Sequence, residues 1–545
     1  MTKLKKGILI LLSVLVGSVL FAFRTDYFEV AKQMEIYTTM FKEINMYYID
    51  EINPAKLTDT AIKNMLNDLD PYTKFYDEQG VEDVKINSSG EYSGIGAQSN
   101  YYDGKLIIIE LFKGYSADKA GIKVGDQIIK IDNIFVEDYN GKQVSTLLKG
   151  SPNTNVDLII KRQEKLLNFS VKREKIKVNP VPHYQLMDNA IGYIALDRFN
   201  DKATSSIKEA FVELKSSGMN KLILDLRGNP GGLLNEAINT TNLFVPKNEV
   251  VVKTVAKVKK WSESYRTKNE PMDLEIPIVV LIDGNSASAA EIVAGSLQDL
   301  DRAVILGTRS FGKGLVQRYR NLTYGTKLKL TISKYYTPSG RNIQELDYTN
   351  KTGNTIPKFS DKKRNAFKTK NGRIVYDGGG IAPDIKIDKS ERTDVTKALY
   401  KSDAIFNYAS NYYFKHQTIA QPEKYIFSDA DYQDFLNFVK QNKTNFKTLS
   451  EKKFESAYKT AKSENLSNAI QTTFQNLTNQ LEAQKIESLN KNKEEIKEHI
   501  SDEILNRYYF KKGEYQNHIA FNKSITEAIK VLKNEENYNQ ILKND

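Results

Sequence analysis

Short apolar runs alternate with an amphipathic stretch in the middle of the chain, and this alternation predicts a strand–helix–strand arrangement. Strands are predicted at 191–196, 222–226 and 277–283, where β-branched and other apolar residues dominate and turn residues follow. Residues 201–217 predict an amphipathic helix that ends at Gly218. Its apolar stripe consists of Ile207, Ala210, Phe211 and Leu214. This part of the chain therefore belongs to the α/β class.

The flanking regions have other patterns. Residues 27–84 have helical periodicity, and beyond residue 390 apolar stripes at helical spacing predict a helical bundle. Strand-like runs recur at 105–109, 127–131 and 156–160. Residues 345–377 are polar and poor in apolar side chains, which favours a long mobile loop.

A chain of 545 residues is too long for one hydrophobic core, so several domains are expected. The predicted segments are an apolar N-terminal stretch (1–24), a helical segment (27–87), a strand-rich domain (88–175), an α/β core (176–388) and a helical C-terminal extension (389–545).

Composition narrows the function classes. The net charge of +11 comes from abundant lysine interleaved with Asp and Glu, and no nucleic-acid motif is present, so we expect no nucleic-acid partner. The chain has no cysteine, which excludes disulfides, thiol catalysis and cysteine-based zinc sites.

The N-terminal stretch predicts an export segment. Three lysines among the first six residues precede an apolar run at 7–23, which Arg24 closes. The run approaches the ~20 residues of a spanning helix, and no small-x-small cleavage site follows, so an uncleaved anchor is favoured over a cleaved signal. The three N-terminal lysines should stay in the cytoplasm. The part of the chain after the apolar run is then expected in the periplasm or outside the cell.

A serine at the turn after strand 277–283 is a candidate nucleophile. Residues 286–291 are SASAAE and begin a helix, so Ser286 and Ser288 both lie near outward-pointing backbone amides. The same amides can receive an oxyanion.

Few residues can serve as its base. Three of the four histidines lie in the polar C-terminal region, and His183 precedes the first predicted strand of the α/β core, so a Ser-His-Asp triad depends on His183. Residues 310–317 are SFGKGLVQ, with Lys313 between glycines. A lysine can act as a base when burial lowers its pKa. Gln317 would project on the same side as Lys313 and orient its amine.

The pair SAS-x-x-E and FGKG-x-x-Q resembles the carboxy-terminal processing peptidases, also called tail-specific proteases, which are serine peptidases of the S41 type with a Ser-Lys dyad. The resemblance makes Ser288 rather than Ser286 the nucleophile, Lys313 the base and Gln317 its hydrogen-bonding partner. It implies a crotonase-like α/β peptidase core with an inserted PDZ domain. It implies no metal and no organic cofactor.

Residues 224–232, LDLRGNPGG, match another segment of that family. There a glycine amide is paired with the amide after the nucleophile, which is Ala289 here. Gly231 and Gly232 are the candidates for this oxyanion hole, and Gly232 is favoured. Glycine suits the place because the backbone must approach the substrate carbonyl without a Cβ between them.

The strand-rich domain resembles a PDZ domain. Residues 120–128 carry the A-G-I-x-x-G-D-x-I pattern, and residues 92–97, YSGIGA, would form the carboxylate-binding loop with Gly94, Ile95 and Gly96. Converging amides there can bind a chain-terminal carboxylate, while the adjoining strand pairs with the peptide. The groove helix is predicted at 141–148.

The expected function is an envelope endopeptidase that cleaves proteins with free C-termini after PDZ-mediated recognition. The sequence leaves two alternatives open: a catalytically inert peptide-binding scaffold, and an acyl-CoA enzyme of crotonase type, which an export segment disfavours because coenzyme A is cytoplasmic. Association into a homo-oligomer is also left open.

Overall fold

The computed structural model describes residues 27–102, 104–139, 144, 146–351, 356–359, 364–388, 391–441, 446–464 and 468–543. The chain divides into two units, one ending at Asp77 and including residues 319–330, and one containing the rest. The anchor predicted at 1–24 lies outside the described residues. Among those described, no helix has both the length and the apolar character needed to cross a lipid bilayer.

The first unit contains two helices and a short strand. These are α1 (27–47), α2 (Pro54–Asn67) and β1 (Lys74–Tyr76). Helix α2 begins behind Asn53, whose side chain accepts the Lys56 amide at 3.0 Å, and a proline fills its first position. Asp70 then accepts the amides of Tyr72 and Thr73, which fixes the turn into β1.

A strand-rich domain follows helix α3 (Glu78–Ser89). Its elements are β2 (Glu91–Gly94), β3 (Ala97–Tyr102), β4 (Lys105–Leu111), α4 (Ser116–Lys119), β5 (Gln127–Ile131), β6 (Ile134–Phe135), β7 (Asn155–Arg162), β8 (Lys165–Lys172) and β9 (Glu174–Lys177). Strands pair in the order β3-β4-β5-β7-β8, so β3 is an edge strand. Most of the groove helix predicted at 141–148 lies outside the described residues.

The α/β core contains a central sheet of six strands in the order β10-β11-β12-β15-β16-β21. The strands of the region are β10 (His183–Met187), β11 (Ile191–Ala195), β12 (Lys221–Asp225), β13 (Val250–Ala256), β14 (Glu263–Arg266), β15 (Ile278–Ile282), β16 (Val304–Gly307), β17 (Leu315–Asn321), β18 (Lys327–Tyr336), β19 (Ala366–Lys368), β20 (Ile374–Tyr376) and β21 (Ile385–Lys386). Its helices are α5 (Ala203–Ser216), α6 (Leu234–Asn242) and α7 (Ala289–Asp299). All neighbours in the central sheet are parallel except β10 and β11.

Part of the segment predicted as a long loop, 345–377, has regular structure instead. Strands β19 and β20 pair as an antiparallel hairpin. Arg373 beside β20 binds Asp301 at 2.6 Å and Asp384 at 2.7 Å, and all three side chains are mostly buried. The loop prediction was wrong here because ion pairs, which leave no apolar pattern, hold the segment in place.

The C-terminal region is helical. Its helices are α8 (Asp394–Tyr400), α9 (Ala404–Lys415), α10 (Asp429–Gln441), α11 (Leu449–Ser463), α12 (Asn468–Asn490), α13 (Lys493–Phe521), α14 (Lys523–Lys533) and α15 (Glu535–Leu542). The stripes found in the sequence are buried in one cluster, with Phe435, Ile500 and Ile504 at 0% exposure. The multidomain α/β fold class with a helical C-terminal extension is thereby confirmed.

Helices cover both faces of the central sheet. Helices α5, α6 and α7 pack on the face that Leu222 and Leu224 of β12 present. Helices α14 and α15 pack on the opposite face, where Ile223 lies. Helices α14 and α15 therefore supply one of the two helical layers that cover the sheet.

Candidate active site

Three loops lie at the same edge of the central sheet. Strands β12, β15 and β16 are adjacent and parallel, so their carboxyl ends meet at one edge. The loops that follow them carry Gly231, Ser288 and Lys313, in that order. Ligands of α/β sheets bind in the crevice outside the carboxyl ends of such strands.

Ser288 occupies a sharp strand-to-helix turn. It is the residue before helix α7, with φ of 56° and ψ of −111°, a conformation that L-residues with side chains rarely adopt. Strained backbone of this kind concentrates at functional sites, and the turn resembles the one that exposes nucleophilic serines. The Ala289 amide is the first in the helix and has no carbonyl of that helix to bind.

Ser286, the other candidate serine, has a structural role. The Ser286 hydroxyl donates to the Leu226 carbonyl at 2.7 Å and accepts the Asp283 amide at 2.9 Å. Ser286 is 1% exposed. Its hydroxyl therefore ties the turn after β15 to the end of β12, in agreement with Ser288 as the better nucleophile candidate.

Glu291 joins the serine turn to the lysine loop. Its Oε2 accepts both the Ser288 amide at 2.8 Å and the Lys313 amide at 2.9 Å. Its Oε1 accepts the Ser310 hydroxyl at 2.5 Å and the Gly312 amide at 2.6 Å. Because two donors share one oxygen, the backbones of Ser288 and Lys313 lie side by side.

The carboxyl group of Glu291 is fully buried. Burial raises its pKa, while the Ser310 hydroxyl and the backbone amides of Lys313, Gly312 and Ser288 oppose that shift. In the sequence, this glutamate is visible only as the last residue of the SAS-x-x-E motif. Its position three residues after the serine was the signal for its capping role.

The loop that carries Lys313 is fixed on both sides of the lysine. The Gly312 carbonyl accepts the Glu345 amide at 2.9 Å, and the Gly314 amide donates to the Gln344 side chain at 2.8 Å. Lys313 itself is partly exposed. Hydrogen bonds of the residues on both sides thus hold the backbone of Lys313 in place.

Gln317 lies within β17, beyond the lysine loop. Its side-chain amide donates to the Thr331 hydroxyl of β18 at 3.2 Å. Its proposed bond to the Lys313 amine stays a prediction.

The two candidate oxyanion glycines have different neighbours. A Cβ added to Gly231 would lie 2.6 Å from the Ala287 carbonyl oxygen and 2.9 Å from the Ala289 nitrogen, so this glycine packs directly on the serine turn. Its own amide donates to Asn229 Oδ1 at 2.8 Å. Gly231 is therefore needed for the close approach, and its amide already has an acceptor.

Gly232 pairs with Phe199 as a short parallel bridge. The Phe199 amide donates to the Gly231 carbonyl at 3.0 Å, and the Leu233 amide donates to the Phe199 carbonyl at 2.7 Å. Since polar groups of successive residues in extended backbone point to opposite sides, the Gly232 amide points away from Phe199. This orientation is compatible with Gly232 as the donor predicted from the sequence.

Asn229 was not identified from the sequence, although it connects three segments of the site. Its side-chain amide donates to the Leu196 carbonyl at 2.7 Å, and its carbonyl accepts the Ala287 amide at 2.9 Å. Asn229 is fully buried. It lies in the motif LDLRGNPGG. The one sequence signal for this role was a polar residue shortly after a strand predicted to be buried.

His183 lies apart from the serine turn. It begins strand β10, three strand positions from β15, which corresponds to about 14 Å at the usual strand spacing. Its ring stacks on Tyr515 at 6.0 Å, and burial lowers its pKa. The structure does not bring it together with Ser288.

A cleft of about 370 Å³ adjoins the site. Its lining includes Leu233 and Leu234 after the candidate oxyanion glycine, Trp261 and Tyr265 near β14, and Gln317. Half of the lining is polar or charged and includes Glu236 and Arg318, and such a mixed surface can contact both the side chains and the backbone of an extended peptide.

The predicted carboxylate-binding loop joins β2 to edge strand β3. Gly94, Ile95 and Gly96 are all buried. The Ile95 carbonyl accepts the Ala117 amide at 2.8 Å, and Gly96 has φ of 80° with Tyr115 packed beneath it. An edge strand beside a glycine loop is the arrangement by which PDZ domains add a peptide strand.

One cluster among the described residues has metal-ligating groups: Asp502, Glu514 and His518. The protein itself balances their charge. His518 binds Asp502 at 2.8 Å, and Lys511 binds Glu514 at 3.2 Å. We therefore assign no metal to this cluster.

Comparisons with known proteins identify the family of this chain. The model of peptidase family S41 matches residues 190–350, and a PDZ model matches residues 111–162. The carboxy-terminal-processing protease of Bartonella bacilliformis is 35% identical over 326 residues, which cover 58% of this chain and 74% of that protein. The chain belongs to peptidase family S41.

Further similarities extend the assignment. The carboxy-terminal processing protease CtpA of Bacillus subtilis is 32% identical over 354 residues, covering 63% of this chain and 75% of that protein. A CtpA-like serine protease of Staphylococcus haemolyticus is 35% identical, and the match spans 61% of its length. Residues 395–532 match a helical domain described as "Probable PDZ-protease, C-terminal helical domain". This S41 chain therefore combines a peptidase domain, a PDZ domain and a C-terminal helical domain.

Proposed function

We propose that this protein is a serine endopeptidase that cleaves proteins near their C-termini by means of a Ser288–Lys313 dyad. The observation that supports the dyad most directly is the shared hydrogen-bond acceptor. One oxygen of Glu291 accepts the amides of both residues, at 2.8 and 2.9 Å, so segments 25 positions apart in sequence (313 minus 288) lie together.

In the proposed mechanism, the neutral amine of Lys313 accepts the Ser288 proton as the hydroxyl oxygen attacks the scissile carbonyl. The amides of Ala289 and Gly232 bind the oxyanion of the tetrahedral intermediate. The Lys313 ammonium then protonates the departing amine, which leaves an acyl-enzyme. Water, deprotonated by Lys313, attacks the ester and releases the shortened protein and the Ser288 hydroxyl.

The PDZ domain would select substrates by their free C-termini. The carboxylate would lie at Gly94–Gly96, and the preceding residues would pair with edge strand β3. The apolar N-terminal segment would anchor the chain in the inner membrane, with the peptidase in the periplasm.

The test compares three purified proteins: wild type, Ser288→Ala and Lys313→Ala. Both variants should fold like wild type and lose several orders of magnitude in peptide cleavage. A serine-directed acylating probe should label wild type and not Ser288→Ala. Ser216→Ala is the matched control, because Ser216 is exposed at the end of α5, and this variant should still be labelled.

Cleavage by both dyad variants at the wild-type rate would refute the assignment. A folded wild type that binds C-terminal peptides but neither cleaves them nor accepts the probe would instead support the inert scaffold.

A further inference from the structure

Helix α13 folds back on itself. Phe510 has φ of 59° and ψ of −169° in the middle of the helical stretch. Asp502 and His518 are 16 positions apart and bind each other at 2.8 Å, whereas a straight helix would separate them by about 24 Å. Residues 493–521 therefore form two antiparallel arms, which we call the C-terminal hairpin.

The tip of the hairpin packs on the PDZ domain. Phe510 contacts the apolar core cluster of that domain, and the Lys113 ammonium lies 5.8 Å from the centre of its ring. Beside the tip, Arg507 donates to Ser410, which packs closely against Gly125 of the PDZ domain. The tip is thus in contact with the domain proposed to select substrates.

Lys511, next to the tip, interacts with carboxylates from three domains. It binds Glu514 of the hairpin at 3.2 Å. Its charge also acts at longer range on the carboxylates of Asp197 in the peptidase core and Glu110 in the PDZ domain. Glu514 contributes most to raising the pKa of this lysine, against the effect of burial. Burial raises the pKa values of Glu110 and Asp197, and the charge of Lys511 opposes both shifts.

Two hydrogen bonds join the region of the arms to the peptidase core close to the oxyanion loop. The Tyr515 hydroxyl donates to Asp197. The Arg227 guanidinium donates to the Asn522 side chain at 2.7 Å, just beyond the hairpin. Asn522 in turn binds Glu498 of the first arm at 2.6 Å, which ties both arms to the same arginine.

Both contacted core residues adjoin the oxyanion loop. Asp197 lies two positions before Phe199, whose amide and carbonyl bind Gly231 and Leu233 on either side of Gly232. Arg227 directly precedes Gly228, the first glycine of the same loop. The hairpin therefore contacts both segments that determine where the Gly232 amide points.

We propose that the C-terminal hairpin, whose tip packs on the PDZ domain through Phe510, positions the oxyanion loop and links it to that domain, and that Tyr515 and Lys511 hold the hairpin in this place. Tyr515 and Lys511 are then positioning residues for peptide hydrolysis, and the inference rests on the proposed function. Displacement of the Gly232 amide weakens binding of the transition state more than binding of the substrate, so kcat falls and KM stays unchanged.

The experiment uses the full chain and a fluorogenic peptide with a free C-terminus. Tyr515→Phe removes the hydroxyl and keeps the ring on His183, and Lys511→Met removes the charge. Each should lower kcat about tenfold to a hundredfold, since small misplacements remote from the chemistry have effects of this size. The inhibition constant of a peptide boronate, which mimics the tetrahedral intermediate, should rise by the same factor.

Rates are normalised to the fraction of Ser288 that an acylating probe titrates, so that partial unfolding does not count as loss of function. Lys511→Arg should restore the wild-type values. Lys512→Met is the matched control, because Lys512 is the exposed neighbour, and it should behave like wild type.

If wild type is active and both variants keep kcat and the boronate constant within twofold, the inference is wrong and the peptidase assignment stands. A loss of active protein without a change in the boronate constant would also overturn it, because that pattern indicates instability alone. An inactive wild type without probe labelling would refute the proposed function itself.

Discussion

The two faces of the central sheet are buried in different ways. On one face, β12 presents Leu222 and Leu224 to helices α5, α6 and α7, which lie between the strands in sequence. On the other face, the intervening Ile223 packs against α14 and α15, from the last part of the described chain. Alternation along one strand thus sends neighbouring residues to layers of different origin.

This difference shows that the C-terminal helical domain is part of the peptidase core. The Tyr538 hydroxyl of α15 accepts the Ile278 amide at 2.9 Å across 260 positions. The first face is covered by helices that are close in sequence to the strands of the sheet. The second face is covered by α14 and α15, which lie more than 200 positions after β15 in sequence. Loss of the C-terminal domain should therefore damage the core itself.

The largest effect is expected from truncation after residue 388, which uncovers the second face. An exposed apolar surface of a whole sheet favours aggregation, so the shortened chain should be insoluble or lack cooperative unfolding. Soluble yield and circular dichroism measure this, with full-length Ser288→Ala as the control. A soluble truncated protein with a cooperative transition would show that the second face needs no cover.

Matched cavity variants compare the two faces directly. Ile207 of α5 and Ile525 of α14 are both fully buried, one on each face. Each change to alanine should lower the free energy of unfolding by about 2–5 kcal/mol in urea titrations. Val212, 55% exposed on α5, is the control, and its change to alanine should stay within about 0.5 kcal/mol. A near-zero effect of Ile525→Ala alone would make α14 a loosely attached appendage.

A smaller effect on stability is expected from a change of pH. The C-terminal hairpin, which precedes α14, contains the ion pair of His518 and Asp502. Burial lowers the pKa of His518, but the adjacent Asp502 carboxylate, helped by Glu514 and opposed by Arg227, raises it to about 9. The unfolded value is about 6.5. Protonation of His518 therefore stabilises the fold below pH ~6.5, and this contribution disappears as pH rises through about 9. Because burial raises the pKa of Asp502 to about 6, the charged pair itself exists between about pH 6 and about pH 9.

Thermal unfolding of wild type and His518→Gln between pH 6 and 10 checks this expectation. The advantage of wild type in melting temperature should shrink as pH rises. An advantage that is constant over the whole range would mean that the ion pair does not stabilise this layer.

Local patterns in the sequence were sufficient for the elements and the motifs of the site. The serine turn, the glycine segment and the lysine loop each consist of a few adjacent residues whose chemistry is visible without a fold. The structural roles of Asn229 and Glu291 are not visible in such local patterns. Both act through hydrogen bonds to segments distant in sequence, and such bonds leave no periodic signal.

The order of residues alone predicts that strands alternate with helices, that a serine begins a helix and that a lysine lies between glycines, because backbone propensity and turn chemistry act over a few residues. Three features are visible only in the folded chain: Glu291 binds the backbones of both Ser288 and Lys313, α14 and α15 cover the second face of the sheet, and the region of the C-terminal hairpin contacts Asp197 and Arg227. These contacts join residues up to 318 positions apart, and their energies depend on burial and orientation that no local pattern contains.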